Sequence, residues 1–173
     1  LDADIFLGHA KVPVPWDEAV ARGRLRWIQS SAAGMDHCLV PSVIASDILV
    51  TSASGLFADP VAEQTLALLC GLQRGLPTFF RAAQKREFIR RPTRDLHDAT
   101  VGIIGFGGDG RRLAEVLAPF RTRILATDLF PEDKPDHVEQ LLPADRLDEV
   151  LAQVDIAILC LPLNAQTHGL IDT

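Results

Sequence analysis

Short apolar runs alternate with helical patterns along the first fifty residues. Candidate strands lie at Ile5–Leu7, Leu25–Gln29 and Ile48–Val50, with a candidate helix at Trp16–Ala21. Strands that alternate with helices predict an α/β layer, which this part of the chain would form by itself. The turn residues of Ser30–Gly34 predict a loop, and we expect a further helix to begin near Met35.

The pattern changes at Asp59, where an acidic residue precedes Pro60. Asp at the N-cap and proline at the first helical position are typical of a helix start. Val61–Leu72 is then almost entirely apolar, and a helix that is apolar on every side is buried. We therefore predict a helix over residues 59–76 that threads between two domains or lies in a subunit interface.

An arginine-rich segment follows, from Arg81 to Arg94. Two interpretations are open for such a charge run: a solvated arm or a stretch that binds a partner. We favour the solvated arm, because most charge runs simply face water.

The most informative pattern begins at Val101. A β-branched run ends in the glycine turn Gly105–Gly110, and an apolar stripe on a helix stops at Pro119. A second apolar run, Ile124–Ala126, ends at Asp128. Strand, glycine turn, helix, strand and acid in this order predict a βαβ unit with buried parallel strands. Further strand and helix patterns at Leu141–Leu142, Leu147–Leu151 and Val154–Leu161 extend the sheet.

Gly105, Gly107 and Gly110 have the spacing G-x-G-x-x-G. The first glycine permits a tight turn, the second lets main chain approach a pyrophosphate, and the third lets the helix pack closely on the strand. Asp128 stands about twenty residues further on, where a carboxylate accepts the ribose hydroxyls of adenosine. The motif predicts a dinucleotide site, with a ligand-free glycine turn as the alternative.

Composition narrows the classes of function. The 173 residues are 47% hydrophobic and carry a net charge of −6, with scattered basic residues, so nucleic acid is not an expected partner. The apolar runs are too short to span a bilayer. Cys38, Cys70 and Cys160 form no metal-ligand pattern, and their sparse number favours a reducing compartment, the cytoplasm. No metal is expected.

The ends of the sequence suggest a fragment. The chain starts at Leu1 in what reads as the middle of a domain, and it stops at Thr173 shortly after a strand and turn. We therefore expect a piece of a longer protein.

Four segments together resemble the D-isomer-specific 2-hydroxyacid dehydrogenases, in order and spacing. They are the substrate-domain loop Trp27–Asp36, the interdomain helix Pro60–Leu69, the cofactor loop Val101–Gly110 and the strand-end motif Leu161–Ile171. The resemblance implies an α/β fold: a Rossmann-like doubly wound parallel sheet with part of a second, smaller flavodoxin-like α/β domain. Residues 1–57 would belong to the substrate domain, and residues 58–173 to the NAD-binding domain.

The same resemblance implies site residues. Gly108 and Asp109 would lie against the pyrophosphate with the three glycines, and Asp128 against the ribose. Leu161, Pro162 and Thr167 would line the far side of the cofactor site, and Ala33 and Gly34 would offer N–H groups to a substrate carboxylate. The family's catalytic arginine, glutamate and histidine would lie beyond Thr173, so none is assigned here and no turnover is expected. His168 is interpreted as a surface side chain, and His9, His37, His97 and His137 receive no role.

The resemblance further implies NAD as cofactor, a small 2-hydroxy or 2-keto acid as substrate and a homodimer. Asp128 would repel the 2′-phosphate of NADP, so NAD is expected to bind more tightly, with Lys134 the nearest downstream cation. A nucleotide-sensing protein or corepressor on the same fold remains the alternative function.

Asp109 departs from the family, which usually has an aliphatic residue at this position. Its carboxylate either points to solvent and stabilises the helix N-terminus, or repels the pyrophosphate and weakens cofactor binding. Arg111 and Arg112 could offset its charge.

Overall fold

The computed structural model describes residues 2–8 and 13–172. It divides into two compact units, one formed by Leu1–Phe57 with Leu161–Thr173 and the other by Ala58–Cys160. Residues 161–173 belong to the first unit, whereas the family resemblance implies that they belong to the NAD-binding domain. The assignment of a substrate domain and an NAD-binding domain stays a prediction.

The first unit contains a three-stranded parallel sheet in the order β1-β2-β3. Its elements are β1 (Ile5–Gly8), α1 (Trp16–Ala21), β2 (Trp27–Ser30), α2 (Pro41–Ile44) and β3 (Leu49–Thr51). Trp16, Leu25, Ile28 and Val43 are buried together in its core. The three strands and the first helix predicted here are confirmed.

The prediction of a helix that begins near Met35 is wrong. Cys38 and Leu39 both donate main-chain hydrogen bonds to the Met35 carbonyl, at 3.0 and 2.9 Å, and form a single turn. Pro41 has no N–H and cannot continue such a ladder. The helix starts anew at Pro41, the first residue of α2.

The second unit contains a four-stranded parallel sheet in the order β6-β5-β4-β7. Its elements are α3 (Ala58–Gln73), α4 (Leu76–Gln84), β4 (Thr100–Ile104), α5 (Gly108–Leu117), β5 (Arg123–Asp128), β6 (Gln140–Pro143), α6 (Leu147–Leu151) and β7 (Ile156–Leu159). The central strands β4 and β5 are buried over nearly their whole length. Strands covered on both faces explain the continuous apolar runs, and the predicted parallel α/β fold is confirmed.

The helix predicted over residues 59–76 differs from the observed one at both ends. It begins at Ala58, so Asp59 lies inside the first turn and is not the cap. It ends at Gln73, because Gly75 adopts a left-handed conformation with φ 67° before α4 starts. One predicted helix is thus two.

The burial expected for α3 is met at only a few positions. Ala62 and Leu69 are buried, whereas Val61, Leu68 and Leu72 are 39%, 59% and 70% exposed. The location in a domain or subunit interface therefore stays a prediction.

In the arginine-rich segment every residue from Ala83 to Phe88 is exposed. Such exposure is compatible with a solvated arm and with a stretch that binds a partner.

Across the residues that the structure describes, every helix is too short or too polar to cross a membrane.

Candidate functional site

The glycine turn begins at Gly105, directly after β4. Gly105 has φ 95°, in the left-handed region that residues with a side chain rarely adopt. Its N–H donates to the Thr127 carbonyl of β5 at 2.9 Å. The chain can therefore leave the strand sharply while it stays attached to the neighbouring strand.

Helix α5 starts with an open N-terminus. Gly107 is its N-cap and makes no side-chain capping hydrogen bond, and Gly107 and Gly108 are both exposed. A Cβ atom at Gly107 would meet nothing within 4 Å. The first N–H groups of a helix have no partner within the helix, so these main-chain donors are free to bind an anion.

Gly110 lets α5 approach β4 closely. A Cβ atom built on Gly110 would lie 2.3 Å from the Gly105 carbonyl oxygen and 3.2 Å from Cγ2 of Ile103. The first distance is far below a van der Waals contact and involves main chain, so only glycine fits without a shift. The third glycine of the motif thus has the packing role that its spacing predicts.

Asp128 lies at the end of β5 and reaches the glycine turn. Its Oδ2 accepts a hydrogen bond from the Phe106 N–H at 2.6 Å, and its Oδ1 accepts one from the Phe130 N–H at 2.9 Å. Each carboxylate oxygen retains a second lone pair that can accept a ribose hydroxyl. The structure therefore brings the acid and the glycines together at one edge of the sheet.

Asp109 lies half-buried in the first turn of α5, close to Cys160 at the end of β7. Burial, and to a lesser degree the negative charge of Asp109, raise the pKa of the Cys160 thiol to about 11. This thiol therefore stays neutral at ordinary pH.

The two arginines after the glycine turn have partners other than Asp109. Arg112 pairs with Asp59 at 2.6 Å and with Glu115 at 2.7 Å. Arg111 donates to the main-chain carbonyls of Glu132 and Asp133. The suggestion that these arginines offset the charge of Asp109 receives no support from this geometry.

Arg111 and Phe106 lie at the site, but the sequence predicted no contact with the cofactor loop for either of them. The Arg111 guanidinium lies 5.0 Å from the centre of the Phe106 ring and contacts the loop that follows Asp128. Lys134, the cation named from the sequence, instead donates to the Val138 carbonyl at 2.7 Å. No spacing rule indicates Arg111, because the two carbonyls to which it donates are more than twenty residues away in sequence.

Ala33 and Gly34 lie in the loop after β2. Ser30, which is buried, fixes the start of this loop: its Oγ accepts the Ala32 N–H at 3.1 Å and lies 3.3 Å from Nε2 of His37. The Ala32 carbonyl accepts the Ala53 N–H at 3.1 Å. Within residues 2–8 and 13–172, no hydrogen bond from the N–H of Ala33 or Gly34 is found.

Leu161, Pro162 and Thr167 belong to the first compact unit. Thr167 Oγ1 donates to the Pro162 carbonyl at 2.5 Å and accepts the Asn164 N–H at 3.0 Å, which closes a local turn. Their role beside a cofactor stays a prediction. His168 is exposed, as predicted, and His9 lies outside the described residues.

The described residues contain no cluster of three or more His, Cys, Asp or Glu side chains arranged to hold a metal ion.

Comparison with known proteins points to one family. Residues 66–173 match the family model described as "D-isomer specific 2-hydroxyacid dehydrogenase, NAD binding domain". An uncharacterised protein of Corynebacterium melassecola is 31% identical over 86% of the chain, and a D-3-phosphoglycerate dehydrogenase of Mycobacterium bovis is 28% identical over 99%. The chain spans 49% and 33% of the lengths of these two relatives.

The fold is similar to that of a solved enzyme. A D-lactate dehydrogenase from Aquifex aeolicus, solved with NAD and lactic acid, superposes with a TM-score of 0.79 at 26% identity. The match covers 95% of this chain and 50% of that one. The Rossmann-like fold predicted from the sequence is thereby confirmed.

Proposed function

Because this chain belongs to the D-isomer specific 2-hydroxyacid dehydrogenase family, we propose that it binds NAD at the edge of the sheet formed by β4 and β5. One observation carries the proposal: the uncapped N-terminus of α5, the bare main chain at Gly107 and the carboxylate of Asp128 meet at that edge. The carboxyl ends of parallel strands are where such folds bind nucleotides.

The proposed roles follow from the local geometry. The pyrophosphate binds the N–H groups at Gly107, Gly108 and the start of α5, where the helix dipole favours negative charge. Gly105 and Gly110 shape this turn, and Asp109 lies within it. Asp128 accepts the adenosine ribose hydroxyls.

The family resemblance supplies two further sets of proposed site residues. Leu161, Pro162 and Thr167 are proposed to line the nicotinamide side of the cofactor. Ala33 and Gly34 are proposed to bind the carboxylate of a small 2-hydroxy or 2-keto acid through their main-chain N–H groups. Bound NAD supplies the chemistry, a hydride exchanged between C4 of nicotinamide and C2 of the substrate.

The reaction also needs groups that grip the substrate and move a proton. No residue of this chain is assigned either task, since the family resemblance implies that the catalytic arginine, glutamate and histidine lie beyond residue 173. We propose that they belong to a longer protein and that residues 1–173 alone bind cofactor without turnover. Positioning and proton transfer each contribute orders of magnitude to rate.

The same proposal extends to cofactor choice, assembly and compartment. Asp128 supports NAD over NADP, because a carboxylate repels a 2′-phosphate. The exposed apolar side chains Val61, Leu68 and Leu72 of α3 support a homodimer that covers them. The three free cysteines support a cytoplasmic protein.

A turnover assay tests the enzymatic part of the proposal. The protein that carries this sequence is mixed with NADH and, in turn, glyoxylate, pyruvate or hydroxypyruvate, and absorbance of NADH is followed. We expect oxidation with at least one 2-keto acid. Tight NADH binding without oxidation of any acid would favour the nucleotide-sensing alternative, and steady turnover by residues 1–173 alone would contradict the assignment of catalytic groups to a longer protein.

A further inference from the structure

Arg111 joins the start of α5 to the loop that follows β5. Its Nη1 donates to the Asp133 carbonyl at 2.9 Å, and its Nη2 donates to the Glu132 carbonyl at 2.8 Å. A guanidinium presents its donors in one rigid plane, so two bonds to successive carbonyls fix both the position and the orientation of the loop.

The loop at residues 129–134 is held mainly at its two ends. Within the described part of the chain, it lacks regular structure and most of its residues are exposed, and Asp133 has φ 51° in the left-handed region. One end is fixed by the Phe130 N–H on Asp128, and Glu132 bonds only locally to the Phe130 carbonyl. At the far end, Lys134 donates to the Val138 carbonyl at 2.7 Å. Arg111 therefore provides the connection between the middle of this loop, at Glu132 and Asp133, and helix α5.

Phe106 connects the same arginine to the glycine turn. Its ring lies beneath the guanidinium, with Cζ of Arg111 5.0 Å from the ring centre, and its N–H donates to Asp128. Asp128, Phe106 and Arg111 thus form a continuous set of contacts from the proposed ribose acid to the loop beside it. A substitution of Arg111 would therefore alter the structure at the adenosine end of the site.

We propose that Arg111 is a positioning residue for the adenosine half of the dinucleotide. Arg111 fixes residues 129–134, and this loop forms a wall beside Asp128. The adenosine contacts that wall. This inference depends on the proposed function, because it assumes that a dinucleotide binds with its ribose on Asp128.

The neighbouring arginine supplies a matched control. Arg112 pairs with Asp59 of α3 and Glu115 of α5, and so joins two helices on a different side of α5. Replacement of either arginine by methionine removes the same charge from adjacent positions. Any difference between the two variants therefore reports the contacts and not the net charge.

The test uses Arg111→Met, Arg111→Lys and Arg112→Met in residues 1–173. Dissociation constants of NADH and of ADP-ribose are measured by calorimetry, and the fluorescence anisotropy of bound 1,N6-ethenoadenine NAD reports the mobility of the adenine. Arg111→Met is expected to weaken both ligands by about the same factor, on the order of tenfold, and to lower the anisotropy at saturation. Arg111→Lys should recover only part of the affinity, because an ammonium cannot reproduce the planar pair of donors.

The outcomes separate this inference from the proposed function. If the unaltered chain binds neither NADH nor ADP-ribose, both the proposed function and the inference fail. If it binds them and Arg111→Met matches Arg112→Met in affinity and anisotropy, the inference alone is overturned. Urea unfolding of each variant shows whether a loss of affinity accompanies loss of the fold. If the loss of affinity is fully explained by a smaller folded fraction, the inference is also overturned.

Discussion

The Asp128 carboxylate accepts a hydrogen bond from the main-chain N–H of Phe106 at 2.6 Å. The two residues stand at the carboxyl ends of neighbouring parallel strands, β5 and β4. Asp128 therefore has a place in the architecture of the glycine turn in addition to its proposed role toward ribose. A substitution at this position should affect the site in both ways.

Asp128→Asn is predicted to reduce discrimination between NADH and NADPH. The amide removes the charge that repels a 2′-phosphate and weakens the acceptor for the ribose hydroxyls. We expect the preference for NADH, at least about tenfold in the unaltered chain, to fall toward equality. Titrations followed by NADH fluorescence measure this ratio, with Asp136→Asn in the exposed downstream loop as control. An unchanged ratio would exclude Asp128 as the discriminating residue.

Two glycines of the turn should respond differently to alanine. Gly110→Ala places a Cβ atom 2.3 Å from the Gly105 carbonyl oxygen, and overpacking of this kind destabilises folding by about 3 kcal/mol. Gly107→Ala meets no atom within 4 Å and should leave folding stability nearly unchanged, while the methyl group impedes a pyrophosphate. Urea unfolding and NADH titration of both variants test this. Equal stability of the two would contradict the packing argument.

Asp109→Ile is predicted to tighten NADH binding. A carboxylate about 5 Å from a phosphate, at an effective dielectric near 20, repels it by about 3 kcal/mol before screening. After screening we expect a gain of about tenfold in affinity, measured by calorimetry. Asp109→Asn, which keeps the shape, should give most of the gain. An unchanged dissociation constant in both variants would leave Asp109 as a residue that only stabilises the helix N-terminus.

Cys160 should resist alkylation until strongly alkaline pH. Burial, with a smaller contribution from Asp109, raises the pKa of this thiol to about 11 from 9.0. Iodoacetamide labelling of Cys160, followed by mass spectrometry from pH 8 to 11, should therefore lag behind that of a free thiol. Asp109→Asn should move the midpoint slightly downward. Labelling of Cys160 with a midpoint near 9 would contradict its burial beside Asp109.

The same pKa shift gives a direction for stability. The unfolded chain loses the Cys160 proton above about pH 9, whereas the folded chain keeps it, so stability present below pH 9 is lost as the pH rises toward about 11. One pKa unit is worth about 1.36 kcal/mol. For this shift the loss is on the order of 2 kcal/mol, a figure kept below the full value because Cys160 is only half-buried. Cys160→Ser should flatten this part of the urea-unfolding profile.

Local patterns predicted the strands and the glycine turn well. The buried runs of β4 and β5 follow from parallel strands covered on both faces, and the glycine spacing follows from a geometry that spans only a few residues. The hydrogen bonds of Arg111 to Glu132 and Asp133 were not predictable, since they join residues more than twenty positions apart that only the folded sheet brings together.

The errors at helix ends have local physical causes. Pro41 interrupts the turn that begins at Met35, and the left-handed Gly75 divides the long apolar helix into α3 and α4. The exposure of Leu68 and Leu72 could not be anticipated either. Composition shows that a helix is apolar, but it does not show whether other residues of the same chain bury the apolar side chains.

The most direct test of the central claim is a calorimetric titration of residues 1–173 with NADH and, in parallel, NADPH. The glycine turn, the open end of α5 and Asp128 predict saturable binding of NADH, at least about tenfold tighter than that of NADPH. Equal affinities would contradict the role given to Asp128, and no binding of either nucleotide would contradict a working dinucleotide site in this chain.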